Sequence, residues 1–261
     1  MLSSAIDTHR LLRETFVARV EHHAAIGSTN DRAKQCAAEG AGPLPLLVVA
    51  DVQTAGRGRG ANRWWTGRGS LACSLLVDVG SLSVDRSRWT LVGILAGVAI
   101  VETVAPLLPS HLVGLRWPND VYAAGRKLAG ILVEVVSDRL HVIGIGLNTN
   151  NALAEAPAEL RDTATTLVEL TGIQHDQTTI LATLLHRVED GLRELAAVPE
   201  RVGARADAMC LQRGKMLTVQ SGQRSVTGRC AGIAADGALL LDTPDGRQKL
   251  YSGNVCAITA T

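Results

Sequence analysis

A lysine stands between a turn and an apolar run in Arg116-Trp117-Pro118-Asn119-Asp120-Val121-Tyr122, continued by Gly125-Arg126-Lys127-Leu128-Ala129-Gly130-Ile131-Leu132-Val133-Glu134. The chain has four lysines against 22 arginines. A chain that takes most of its positive charge from Arg, yet puts Lys at the mouth of a buried strand, suggests a need for a compact ammonium there. A strand-end lysine with its stem on apolar surface and its head in water gives the same pattern.

Upstream stands Gln53-Thr54-Ala55-Gly56-Arg57-Gly58-Arg59-Gly60-Ala61-Asn62-Arg63-Trp64-Trp65. Glycines let backbone N–H groups approach an anion closely. Arginines add forked, permanent cations suited to phosphate or carboxylate. The indoles could stack on a flat base or cover an apolar ligand. A disordered, nucleic-acid-binding Gly-Arg segment is the competing reading. Against it, the run is short and lies between two apolar strands, and the net charge is only +1. No Gly-x-x-x-x-Gly-Lys-Ser/Thr phosphate loop occurs.

Elements must hold these residues. Ile6 to Arg19 has helical spacing, and a strand is expected around Val20 to Ile26. Ser28 and Thr29 precede a helix start, where capping alone would explain both hydroxyls. Leu46–Val52, Ser70–Val79, Leu112–Trp117, Leu128–Val136 and Leu140–Asn148 read as strands. Arg88–Leu108, Thr178–Ala197 and Arg201–Cys210 read as helices. From about Arg213 short strands alternate with Ser221-Gly222, Asp236-Gly237 and Asp245-Gly246, the spacing of a small β-barrel.

Composition bounds the rest. Hydrophobic residues make up 46% and charged residues 20%, a globular balance. Five scattered cysteines without a Cys-x-x-Cys pair fit reduced thiols, and His22-His23 lacks partners at metal-ligand spacing. The most apolar stretch, Trp89 to Val101, falls short of the roughly 20 residues that span a bilayer. The N-terminus has no secretory pattern. A cytoplasmic protein with no membrane partner is the expectation.

Together with Gly27-Ser28-Thr29-Asn30 and Gly144-Ile145-Gly146-Leu147-Asn148, these segments resemble the biotin protein ligases. Four blocks in the family's order cover roughly Gly27 to Asn148, and Gly237-Ala238-Leu239-Leu240-Leu241 is similar to the family's terminal domain. The resemblance implies an α+β fold: a mixed sheet flanked by helices over 1–211, and an SH3-like barrel over 212–261. It implies activation of biotin with ATP as biotinoyl-5′-AMP, then transfer to a lysine of a biotin carboxyl carrier domain. Magnesium is expected to arrive with ATP, with no protein ligand named. The 27 residues before Ser28 leave no room for the DNA-binding domain of bifunctional members, so no DNA partner is expected. A monomer or weak homodimer fits.

The resemblance also implies roles. Lys127, Arg57 and Arg59 would face charge growing on phosphate. Ser28, Thr29 and Gln53 would meet biotin's ureido group, with Asn30, Gly56, Arg57, Gly58, Arg59, Lys127 and Gly130 also at the biotin site. Trp64, Asn119 and Asn148 would contact the adenylate, and Asp120 would orient or deprotonate the acceptor amine. Turn formation would explain Asp120, and a strand end Asn148, without any of this. Gly60-Ala61-Asn62-Arg63, Arg116 and Trp65 depart from the family pattern. A basic rim of Arg224, Arg229, Arg247 and Lys249 on the small barrel would meet an acidic carrier, and biotin binding is expected to survive the barrel's deletion. Two further readings are a lipoyl or octanoyl transferase of the same fold, and a non-catalytic ligand-responsive regulator.

Overall fold

The computed structural model describes residues 6–82 and 88–259. Helix α1 (Thr8–Glu14), capped by Asp7, leads into β1 (Arg19–His23), α2 (Thr29–Ala38), β2 (Leu46–Ala50) and β3 (Leu71–Asp78). Helix α3 (Thr90–Val104) precedes β4 (Val113–Arg116), β5 (Asp120–Ala123), β6 (Arg126–Val135) and β7 (Leu140–Leu147). Helices α4 (Ala158–Arg161), α5 (Leu167–Thr171), α6 (Gln177–Ala197) and α7 (Pro199–Ala208) follow. Strand β5 and helices α4 and α5 go beyond the sequence reading. Each is four or five residues long, too short for hydrophobic periodicity to register.

The sheet order is β1-β2-β3-β7-β6-β5-β4, with β1 and β2 parallel and the other neighbours antiparallel. Strand β2 is buried along its whole length because both sheet faces are covered. Leu46 and Val48 meet Ala33 and Cys36 of α2, while Leu47 and Val49 join the main core on the opposite face. On that opposite face Ile131, Ile143 and Ile145 are aliphatic. On the α2 face the corresponding positions are Gly130, Gly144, Gly146 and Ser74. Side-chain volume is missing on one face only, and the site lies there.

Helix α3 extends the apolar stretch beyond the length read from sequence and is buried. Thr90–Leu107 is long and apolar enough to cross a membrane by length and composition, yet 67% of it is buried. It packs against α6, α7 and β6, which accounts for its apolar character on all sides.

The terminal part contains β8 (Met216–Ser221), β9 (Arg224–Ile233), β10 (Leu239–Thr243), β11 (Gly246–Leu250) and β12 (Asn254–Thr259). They form one antiparallel sheet ordered β11-β10-β9-β8-β12. The expected barrel is not closed by pairing, because β11 and β12 lie at opposite edges. The two halves of long β9 pair with different partners, β8 first and β10 last. The expected basic rim is largely neutralised. Arg247 pairs with Asp242 and Lys249 with Asp236, while Arg229 donates to the Gly214 carbonyl. Leu217, Val219, Ile233, Leu239 and Leu241 share one continuous core with α3, α6 and α7.

His141 on β7 is fully buried, with its ring edge-on to Trp89 at 4.6 Å between centroids. Burial holds its pKa below the ordinary histidine value, against a smaller opposing effect from the Arg139 backbone. The folded state therefore favours neutral imidazole. An unfolded histidine takes up a proton near pH 6.5. This contribution is thus complete above that pH and is lost as the pH falls below it. Stability should drop on acidification from pH 6.5 to 5.5, with His175 contributing in the same direction. A His141→Leu chain should show a shallower drop, by up to about 1.4 kcal/mol per pH unit. Urea unfolding at several pH values is the check; identical slopes in both chains would contradict it.

Candidate active site

A cleft of about 560 Å³ opens on the glycine-rich sheet face. Its floor is Gly130, Gly144 and Gly146, its inner end holds Ser28, Thr29, Asn30 and Gln53, and its outer end holds Arg59, Asn119, Asp120 and Lys127. Gly253, Asn254 and Val255 of the terminal part close one side.

The inner end is built by the start of α2. Ser28 is its N-cap, with the hydroxyl 3.4 Å from the Asp31 N–H. Thr29 donates its backbone N–H to Gln53 Oε1 at 2.8 Å, and Gln53 donates Nε2 to Thr66 Oγ1 at 3.1 Å. Ser74 Oγ lies 2.7 Å from Thr29 Oγ1 and 2.6 Å from Asn30 Oδ1. Asn30 Nδ2 donates to Glu134 Oε2 at 2.8 Å and to the Leu132 carbonyl at 3.3 Å. Asn30 thus spends its amide inside the protein. A Cβ at Gly144 would overlap Asn30 Oδ1, so glycine there lets α2 sit this close.

The Gly-Arg segment folds as a hairpin. Trp64 N–H donates to the Gly56 carbonyl at 3.0 Å and Gly58 N–H to the Asn62 carbonyl at 2.8 Å. Arg57 pairs with Glu134 and Asp31. Burial opposes the charge on Glu134, but bonds from Asn30, Arg57 and Lys34 outweigh it and hold its pKa below the usual value. Arg59 points to the outer end, where Nη1 donates to the Gly253 carbonyl at 3.1 Å and Asn119 Oδ1 at 3.3 Å. Burial draws its pKa down, with Asp120 opposing. An arginine remains a cation regardless.

The indoles separate. Trp64 lies on the floor, where a Cβ at Gly146 would overlap its ring and one at Gly130 would crowd it at 3.1 Å. The Trp65 ring folds over Gly67. Of these two, Trp64 lines the cleft.

The outer end depends on the turn between β4 and β5. Asn119 exchanges backbone and side-chain bonds with Ile131: Ile131 N–H to the Asn119 carbonyl at 2.9 Å, and Asn119 Nδ2 to the Ile131 carbonyl at 2.8 Å. Asp120 opens β5, and its Oδ1 is 2.7 Å from Lys127 Nζ. The ammonium is 5.8 Å from the Trp64 ring centre. Lys127's backbone is held on both sides, to the Thr163 carbonyl and from the Thr165 N–H. Lys127 lines the cleft.

Two sequence-derived positions fall elsewhere. Gly56 is buried behind the hairpin, where a Cβ would overlap the Trp64 carbonyl; its place is backbone approach within the protein. Asn148 is buried at the end of β7, off the cleft, and its Oδ1 accepts from Asn151 at 3.3 Å. Sequence reasoning missed Ser74, Glu134 and Gly253. Glu134 had a signal, a carboxylate ending an apolar strand; Ser74 and Gly253 had none.

A polar inner end, a glycine floor and a cationic outer end define a cleft for a small ligand joined to an anion. Residues 24–150 match the Biotin/lipoate A/B protein ligase family, and residues 214–256 match the Biotin protein ligase C terminal domain. A biotin–[acetyl-CoA-carboxylase] ligase of Mycobacterium tuberculosis is 34% identical over 89% of this chain and 86% of its own. A bifunctional ligase/repressor BirA of Bacillus subtilis is 30% identical, over 90% and 72%. The biotin protein ligase of Aquifex aeolicus, solved with biotin and ATP, superimposes with a TM-score of 0.79 at 26% identity, over 94% and 100%. The chain belongs to the biotin protein ligase family.

Proposed function

We propose that this chain activates biotin with ATP as biotinoyl-5′-AMP and transfers it to a lysine of a biotin carboxyl carrier domain. The observation that carries this is the single cleft with hydroxyl and amide groups at one end and Lys127 and Arg59 at the other. Biotin has the same polarity, a ureido ring at one end and a carboxylate at the other. Ring down at Thr29 and Gln53, its carboxylate reaches the cations. Trp64 and the glycine floor supply flat apolar walls.

In the first step a carboxylate oxygen attacks the α-phosphorus and pyrophosphate leaves. Two anions must meet, and charge grows on the non-bridging oxygens. Lys127 and Arg59 are positioned to stabilise it. Each is tethered beforehand, Lys127 to Asp120 and Arg59 to Asn119 and Gly253, so little reorganisation is needed. When phosphate takes over Lys127, Asp120 is freed. It then stands at the outer end to orient an incoming lysine amine and take up its proton as the nitrogen attacks the anhydride carbon and AMP leaves.

Magnesium fits only as a passenger. Among the described residues no three His, Cys, Asp or Glu side chains stand close enough to hold a metal. The acidic side chain lining the cleft, Asp120, is already paired. Phosphate oxygens would carry most of the ion's coordination.

The test is pyrophosphate release by the whole chain with biotin or with lipoate. Release with biotin, followed by labelling of a carrier domain, is expected. Release with lipoate alone would reassign the chain to the lipoyl branch of the fold. Biotin binding without pyrophosphate release would leave a ligand-responsive regulator.

A further inference from the structure

We propose that Ser74 and Glu134 are positioning residues that turn the Thr29 hydroxyl into a hydrogen-bond acceptor, so that the inner end of the cleft selects a ligand presenting an N–H group. The inference rests on the biotin reading above and deepens it.

Three oxygen pairs stand within hydrogen-bond distance: Ser74 Oγ to Asn30 Oδ1 at 2.6 Å, Ser74 Oγ to Thr29 Oγ1 at 2.7 Å, and Thr29 Oγ1 to Gln53 Oε1 at 3.1 Å. Ser74 and Thr29 bring one hydroxyl hydrogen each, so two protons serve three contacts. The ends of the chain settle their direction. A carboxylate only accepts, so Asn30 must turn Nδ2 to Glu134, which sits 2.8 Å away. Asn30 Oδ1 then faces Ser74 and needs its proton. Ser74 has none left for Thr29, so the Thr29 hydroxyl donates to Ser74. The longest contact, Thr29 to Gln53, is left without a proton. Gln53 cannot supply one, because its Oε1 already accepts the Thr29 backbone N–H at 2.8 Å.

Two acceptor oxygens 3.1 Å apart therefore face each other with no hydrogen between them. Both residues line the cleft. Such a pair attracts a donor and repels an acceptor. Ser74 itself is fully buried and cannot be replaced by water in this role.

The test uses the full chain with two probes, biotin and a biotin analogue in which a ureido N–H is replaced by ring oxygen or N-methyl. A site built to receive a hydrogen bond rejects a ligand lacking the donor strongly. The parent chain should bind the weaker of the two substituted isomers at least ~10²-fold less tightly than biotin. In Ser74→Ala the Thr29 hydroxyl is released to donate to Gln53, so the discrimination should shrink below ~10-fold. The KM for biotin should rise while kcat and the KM for ATP stay within about threefold. Glu134→Met, which leaves the Asn30 amide held only by its longer 3.3 Å bond to the Leu132 carbonyl and so weakens the hold on its direction, provides a second route if Ser74→Ala does not fold, and should reduce the same ratio. A variant that weakens biotin and the analogue equally, keeping the parental ratio, would overturn the proposal and leave Ser74 a packing residue. A parent chain that binds no biotin at all would instead overturn the reading on which it rests.

Discussion

Lys127→Ala is expected to slow adenylate formation by roughly 10²-fold or more while weakening biotin binding much less. The ammonium sits at the outer end of the cleft, 2.7 Å from Asp120 and away from the ureido end. It would meet charge that grows in the transition state, so its loss belongs in rate more than in ground-state binding. Lys127→Arg should not restore the rate fully. A guanidinium is wider and cannot fill a site shaped for an ammonium between Asp120 and the Trp64 ring. Single-turnover measurement of pyrophosphate release, beside biotin titration, separates the two effects. A Lys127→Ala chain that turns over normally would reduce Lys127 to a strand-end cation.

The chemistry was more legible in the sequence than its supports. Gln53, Arg57, Arg59, Trp64, Asn119, Asp120 and Lys127 sit in two short segments whose composition is unusual, and the fold brings both to one cleft. What made them visible was residue type. Gly144 and Gly146 were quoted for their motif, but their use depends on which sheet face they occupy. That follows from register: Gly144 and Gly146 point with Gly130 and Ser74 toward α2, while Ile143 and Ile145 point to the main core. A strand buried on both faces has no alternation to read, so the missing volume could not be assigned to one side. Ser74 was hidden for the same reason, as one small residue inside an apolar strand. Asn148 lies off the cleft although its flanking motif is intact, and its Oδ1 accepts from Asn151 at the strand end. Gly253 contributes a carbonyl, and a backbone oxygen leaves no trace in residue type.

Ending the chain after Leu211 should do more than remove a docking module: the shortened chain should lose its cooperative unfolding transition. The larger part is expected from sequence to keep biotin binding alone, but the core runs through the boundary. Gln212 Oε1 accepts the buried Trp117 N–H at 2.6 Å, and the Trp117 indole donates to the Gly237 carbonyl at 3.1 Å. Losing both removes two hydrogen bonds, at about 0.5–1.5 kcal/mol each. Leu91 and Ile94, now against Gly237, would meet water as well. Full exposure of such side chains costs roughly 1.5–3 kcal/mol each. These losses together rival the whole stability of a domain, about 5–15 kcal/mol. A point substitution tests the same seam without deletion. A Cβ at Gly203 of α7 would crowd the Ala235 backbone at 2.5–2.6 Å from its Cα and carbonyl carbon. Gly203→Val should act as a wedge costing about 1–3 kcal/mol, or a fall of roughly 3–10 °C in Tm for a chain of this size. Because Arg59 is anchored on the Gly253 carbonyl, the same wedge should raise the KM for ATP more than that for biotin. Calorimetry on the truncated and Gly203→Val chains, with steady-state kinetics on the latter, decides it. A truncated chain melting within about 5 °C of the full one, together with an unperturbed Gly203→Val, would show that the terminal sheet is a separable unit and that the shared core contributes nothing to holding the active site together.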